Sequence, residues 1–119
     1  MRRKKPDPTK PWTEFYKDRP VPKGRPRLGR RGRVFTPETT LNAEAVIRDG
    51  WTGPTYEGTV QIMVEFSPDG TVVTVAPYDG LPSKLRGDVD NYLKLLMDGL
   101  NGAAWADDKQ VHYVEVVKR

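Results

Sequence analysis

Apolar and polar residues alternate most regularly in the middle of this 119-residue chain. In TVQIMVEF, Val60, Ile62, Val64 and Phe66 fall on one side and Gln61, Met63 and Glu65 on the other, the period of a half-buried strand. Pro68-Asp69-Gly70 supplies turn chemistry and TVVTVAPY a second strand, so this region predicts a β-hairpin. After Gly87 the period becomes helical. Val89, Tyr92, Leu93, Leu96, Met97 and Leu100 form one stripe, predicting a helix from about Asp88 to Leu100 that stops at Asn101-Gly102. An earlier helix is expected from about Pro37 to Asp49, with Thr36 as N-cap, Pro37 at the first helical position and Gly50 as the stop. Trp12–Tyr16 reads as a first strand and Lys109–Val117 as a last one. Between Arg19 and Arg33, prolines and glycines forbid a helix and leave an extended basic loop. This order predicts an α+β fold, a small mixed β-sheet with two main helices packed on it.

The length suits one domain with a modest core, read here as a flexible basic leader over residues 1–11 and a folded domain over 12–119. With 30% charged residues against 36% hydrophobic ones, part of the chain must be solvated loop or tail. The absence of cysteine excludes disulfides and thiolate metal sites. The one histidine, His112, reads as an ordinary strand residue, so a metal site here would be built mainly from oxygen ligands, which favour magnesium, manganese or calcium over zinc. Trp12, Trp51 and Trp105 read as core or loop anchors. No apolar run approaches the roughly 18 residues of a membrane span, and no apolar segment follows the basic N-terminus as in a secretory signal. The expected location is cytoplasmic, the bacterial host's cytoplasm if the chain is phage-encoded.

Net charge is +4, yet the two parts of the chain differ sharply. Residues 1–35 carry 13 Lys/Arg against 3 acids, and residues 36–119 carry 7 against 13. A basic arm reads as phosphate-binding, and the candidates are Lys23, Arg25, Arg27, Arg30, Arg31 and Arg33. The acidic remainder gathers carboxylates around GDVDNYLK, answered later by Asp107-Asp108. Asp88 and Asp90 converge if Asp88 is extended and Asp90 lies in the first helical turn, a change of direction that Gly87 permits. The helix start tolerates both anions, and Asn91 adds a neutral donor and acceptor. Only one of Asp107 and Asp108 should face them from the start of a strand. Three carboxylates at one point repel unless a divalent cation lies between them. The ordinary alternatives are that Asp88 only caps the helix and that Asp90 only pairs with Lys94 at i+4. Residue chemistry leaves the choice open.

The whole pattern GDVDNYLKLLMDGL…WADDKQV closely resembles the RusA family of Holliday-junction resolvases, small homodimeric magnesium-dependent endonucleases. The family motif runs D-x-D-N-x-x-K, an apolar helix with D-[AG]-L, then an aromatic residue shortly before D-D-x-Q. Here these are Asp88, Asp90, Asn91, Lys94, Asp98-Gly99-Leu100, Trp105, Asp107-Asp108 and Gln110. PVPKGRPRLGRRGRVFTP is similar to the basic segment of phage-type members, and the likeness spans roughly residues 12–118. Ala103-Ala104 departs from the Gly-aromatic pair common at that place, and the basic leader is longer. The resemblance implies that Asp88, Asp90 and Asp108 are metal-binding and catalytic acids, that Lys94 is an essential lysine, and that Asn91 and Asp107 support them. Asp108 is preferred to Asp107 because it lies two residues before Gln110. It also implies Mg²⁺ as cofactor, with Mn²⁺ as a substitute, a four-way or otherwise branched DNA substrate, and a homodimer. The alternatives are a nuclease for flaps and forks and a non-catalytic basic DNA-binding module.

Overall fold

Antiparallel pairing organises the first half of the chain. The computed structural model describes residues 6–23, 27–28, 34–35 and 38–119, and the chain divides into two compact units, Met1–Tyr78 and Asp79–Arg119. In the first unit, β1 (Trp12–Tyr16), β4 (Val60–Ser67) and β5 (Gly70–Pro77) form a three-stranded sheet in the order β1-β5-β4. Two short strands, β2 (Arg27–Leu28) and β3 (Val34–Phe35), make a separate antiparallel pair, and helix α1 spans Glu38–Gly50. The expected N-cap at Thr36 and Pro37 lies outside the described residues. The sheet is antiparallel throughout rather than mixed, because β4 and β5 are joined by a tight hairpin and β1 lies antiparallel along the other edge of β5.

The register fixes which side chains share a face, since residues directly opposite point the same way. Trp12 opposes Val75 and Glu14 opposes Val73, while Ile62 and Val64 oppose the same two valines from the other side. On the β1 half of this face, α1 and the loop after it make specific ties. The Tyr16 hydroxyl donates to the Ile47 carbonyl at 2.9 Å, and Trp51 Nε1 donates to the Pro54 carbonyl at 3.0 Å. Three donors converge on one oxygen of Glu14: the Thr52 N–H at 2.7 Å, the Thr52 hydroxyl at 2.9 Å and Trp12 Nε1 at 3.3 Å. On the opposite face the hydroxyls of Thr13 and Thr74 meet at 2.8 Å across the β1–β5 pair.

The β4 half has no such cover. All eight of its residues are exposed, with Phe66 at 70%, so the expected half-burial of this strand is not met. Among the described hydrophobic residues only Ala76, on β5, is buried. Alternation assigns side chains to a face. Burial requires something laid against that face, which the period does not supply.

The second unit holds α2 (Val89–Leu100) and a 3₁₀ turn (Asp108–Gln110). The helical stripe forms as expected, but none of its residues is buried. The predicted last strand does not form. Val111 N–H closes the 3₁₀ turn on the Asp108 carbonyl at 3.0 Å, and residues 112–119 join no ladder among the described residues. Some of their side chains bond locally, as in Tyr113 Oη to Glu115 Oε1 at 2.6 Å. An alternating sequence needs a neighbouring strand before its backbone groups can pair.

The Thr52 N–H holds the Glu14 carboxyl below its ordinary range against the opposing effect of burial, with the Thr52 hydroxyl and then the Trp12 indole adding to the lowering. A carboxyl depressed in the folded state contributes stability above its unfolded pKa and loses it as pH falls through the folded value. Glu14→Gln should therefore be less stable than the parent at neutral pH, with the gap closing in acid below the usual carboxylate range, as followed by urea denaturation at a series of pH values.

Candidate active site

Asp88 occupies the N-cap position of α2 in extended conformation, φ −72° and ψ 144°, and its carbonyl accepts from the N–H groups of Asn91 at 3.1 Å and Tyr92 at 3.3 Å. The chain turns into the helix there, the conformation that convergence of Asp88 with Asp90 would need. Asp90 lies in the first turn. The ordinary uses of these acids are both unrealised. The Asp88 side chain makes no capping hydrogen bond, although capping is the common role of an aspartate there. Asp90 makes no ion pair with Lys94, and among the described residues the ion pairs are Lys23–Glu44 at 3.6 Å and Arg48–Asp49 at 3.9 Å. Asp88, Asp90 and Lys94 are thus exposed charged side chains with no protein partner among the described residues.

The second acidic pair separates by role. After α2, Gly102 takes φ +84°, a left-handed conformation that glycine reaches without steric cost. Its N–H donates to the Trp105 carbonyl at 2.6 Å, while Ala103 and Ala104 N–H bond back to the Leu100 carbonyl. This compact turn presents Trp105 to Asp108, and indole Nε1 donates to Asp108 Oδ1 at 2.7 Å. Asp107 instead caps the 3₁₀ turn, its Oδ1 accepting from the Lys109 N–H at 2.9 Å. Gln110 Oε1 reaches back to the N–H groups of Ala106 at 2.7 Å and Asp107 at 3.0 Å, completing a capping box. The turn, rather than the expected strand, distinguishes the two acids: Asp107 serves the backbone, and Asp108 keeps one oxygen without a partner among the described residues.

Among the described residues, no group of three His, Cys, Asp or Glu side chains is gathered closely enough to hold a metal ion. Asp88 and Asp90 share the start of α2, and Asp108 stands on the 3₁₀ turn without completing a trio. The donor chemistry still fits a hard divalent cation, with oxygen donors only and two carboxylates that no lysine or arginine among the described residues neutralises.

Of the arm residues, Lys23 is exposed and paired with Glu44, a surface ion pair of little energetic weight. Arg25, Arg30, Arg31 and Arg33 lie outside the described residues, as does the side chain of Arg27 at the start of β2. His112 Nδ1 lies 2.7 Å from the Gln110 carbonyl, close to its own backbone. The roles of Trp105 toward Asp108 and of Gln110 as a cap went unread in the sequence, although W-x-x-D and D-x-x-Q are both spacings of one short turn. Among the described residues, no helix is long and apolar enough to cross a membrane.

The model of the family Endodeoxyribonuclease RusA matches residues 18–119, which takes in both acidic pairs, Lys94 and the basic arm. The chain belongs to the RusA family. It is accordingly an endodeoxyribonuclease of the Holliday-junction-resolving, DNA-recombination class. No curated protein and no solved structure gives a significant match.

Trp105→Phe keeps the bulk of the ring and deletes the donor to Asp108. If Asp108 acts in cleavage, losing a partner that orients it should lower the rate by about 10-fold or more, with unchanged far-UV circular dichroism.

Proposed function

We propose that this RusA-family enzyme resolves four-way DNA junctions by paired phosphodiester hydrolysis, with Asp88, Asp90 and Asp108 as the acids that hold Mg²⁺. The observation that carries this reading is that Asp88 and Asp90 are committed neither to a helix cap nor to an ion pair, within a chain matched to the family over residues 18–119. The bound cation would polarise the phosphoryl oxygen and lower the pKa of a water for in-line attack. Like charge opposes gathering three carboxylates, so Asp108 joins the other two only where a cation offsets the repulsion. Lys94, unpaired one turn beyond Asp90, orients the attacking water or balances charge that builds on the phosphate. Asn91 and Asp107 support the acids, Asp107 by fixing the turn that carries Asp108.

Lys23, Arg25, Arg27, Arg30, Arg31 and Arg33 engage backbone phosphates, contacts that hold DNA without reading its sequence. The acids then mark the place where a cation, rather than a basic side chain, meets phosphate. Two cuts on a two-fold junction need two sites. A chain with one acidic cluster supplies them as a C2 homodimer.

Asp90→Asn tests the site. Loss of an outer-shell partner costs about 10–100-fold in a metal site, so loss of a ligand should cost at least as much. Junction binding in chelator should remain near that of the parent, and cleavage at the parental rate would remove Asp90 from the mechanism. Labelled junction, flap and linear duplex, each with Mg²⁺ and with chelator, separate a resolvase from a flap or fork nuclease and from a module that binds without cutting. Junction affinity should also fall steeply between low and moderate salt, through release of counterions from the phosphates met by the arm. A flat salt response would contradict that role.

A further inference from the structure

Asp88 has an immobilised base and an uncommitted end. Both peptides that flank its Cα are held. The one after it is fixed through the Asp88 carbonyl, which accepts from the first turn of α2. The one before it is fixed from outside the helix, because the Gly87 carbonyl accepts from Lys118 Nζ at 3.0 Å. Gly87 is gripped on its other side as well, its N–H donating to the Tyr92 hydroxyl at 3.1 Å. Peptide planes are rigid, so fixing the two on either side of a Cα fixes the direction of its Cα–Cβ bond and leaves the carboxylate only its χ1 and χ2 rotations.

Each partner is used at some cost to its ordinary role. Tyr92 belongs to the apolar stripe, yet it stands 43% exposed and its phenol turns back across the first turn to the backbone before the helix. Lys118 gives its ammonium to a carbonyl and makes no ion pair among the described residues. The tail that carries it is tied a second time to the same loop, through the Ser83 hydroxyl donating to the Arg119 carbonyl at 2.8 Å. Gly87 leaves room for this arrangement. A Cβ there would stand 2.9 Å from Cε2, Cζ and Oη of Tyr92, so a larger residue would displace the phenol.

We infer that Tyr92 and Lys118 are positioning residues that clamp Gly87, Tyr92 at its N–H and Lys118 at its carbonyl, and thereby set the direction from which the Asp88 side chain reaches the cation. The clamp rests on the proposed role of Asp88 and extends the working site to the tail at Lys118. Neither residue touches substrate or performs chemistry. Their contribution is preorganisation, which sets how tightly the acids hold a cation before DNA arrives.

The test is Mn²⁺ binding to the DNA-free protein, followed by electron paramagnetic resonance, with thermal unfolding and junction binding in chelator measured on the same samples. Tyr92→Phe and Lys118→Met should each weaken Mn²⁺ binding on the order of 10-fold, with junction binding in chelator unchanged. Lys118→Arg, which keeps a donor, should restore it. Folded Tyr92→Phe and Lys118→Met proteins with parental Mn²⁺ affinity would overturn the clamp. Should Tyr92→Phe unfold, Lys118→Met decides, since it removes the grip from the opposite side. Asp90→Asn separates the two levels. If it loses Mn²⁺ while the clamp variants keep it, only the clamp fails. If it too binds Mn²⁺ as the parent does, the acidic site fails and the clamp with it.

Discussion

Water and mobile ions balance an exposed carboxylate unless the fold supplies a partner, and among the described residues the start of α2 has none. Asp88 leaves the cap unmade and Asp90 forms no ion pair with Lys94. The acids of the later turn are engaged, Asp107 by the backbone of that turn and Asp108 by an indole. The imbalance is local, for the chain as a whole is basic. A nuclease faces this constraint directly, because lysines placed at the scissile phosphate would bind the substrate without activating water.

The surroundings of the acids are held by hydrogen bonds, most of them short-range. Gly102 reverses the chain after α2, the Asp107–Gln110 capping box locks the 3₁₀ turn, and Gly87 is held from both sides. These devices cost little apolar surface. They suit a unit whose helix has no buried residue, where backbone and side-chain hydrogen bonds do the positioning that a core would do elsewhere.

Where a pattern is local, the sequence was legible. The β4–β5 hairpin and the ends of α2 follow from period and turn residues, and Asp88 has the extended conformation that convergence with Asp90 would need. What depends on a remote partner was not. Val111–Val117 alternates as a strand should, yet finds no ladder among the described residues, and β4 alternates without being covered. The division of labour between Asp107 and Asp108 was expected from strand geometry and came instead from a turn. The grip of Lys118 on Gly87 spans 31 residues, a separation at which no spacing rule operates.

The indole bond at Asp108 also leaves the carboxylate room. Trp105 takes one acceptor site on Oδ1, whereas an ionised carboxylate offers about four. An indole N–H carries no net charge, so the bond steadies Asp108 without neutralising it. The turn thus keeps an acid in place with its full charge, which a lysine or arginine partner would have cancelled.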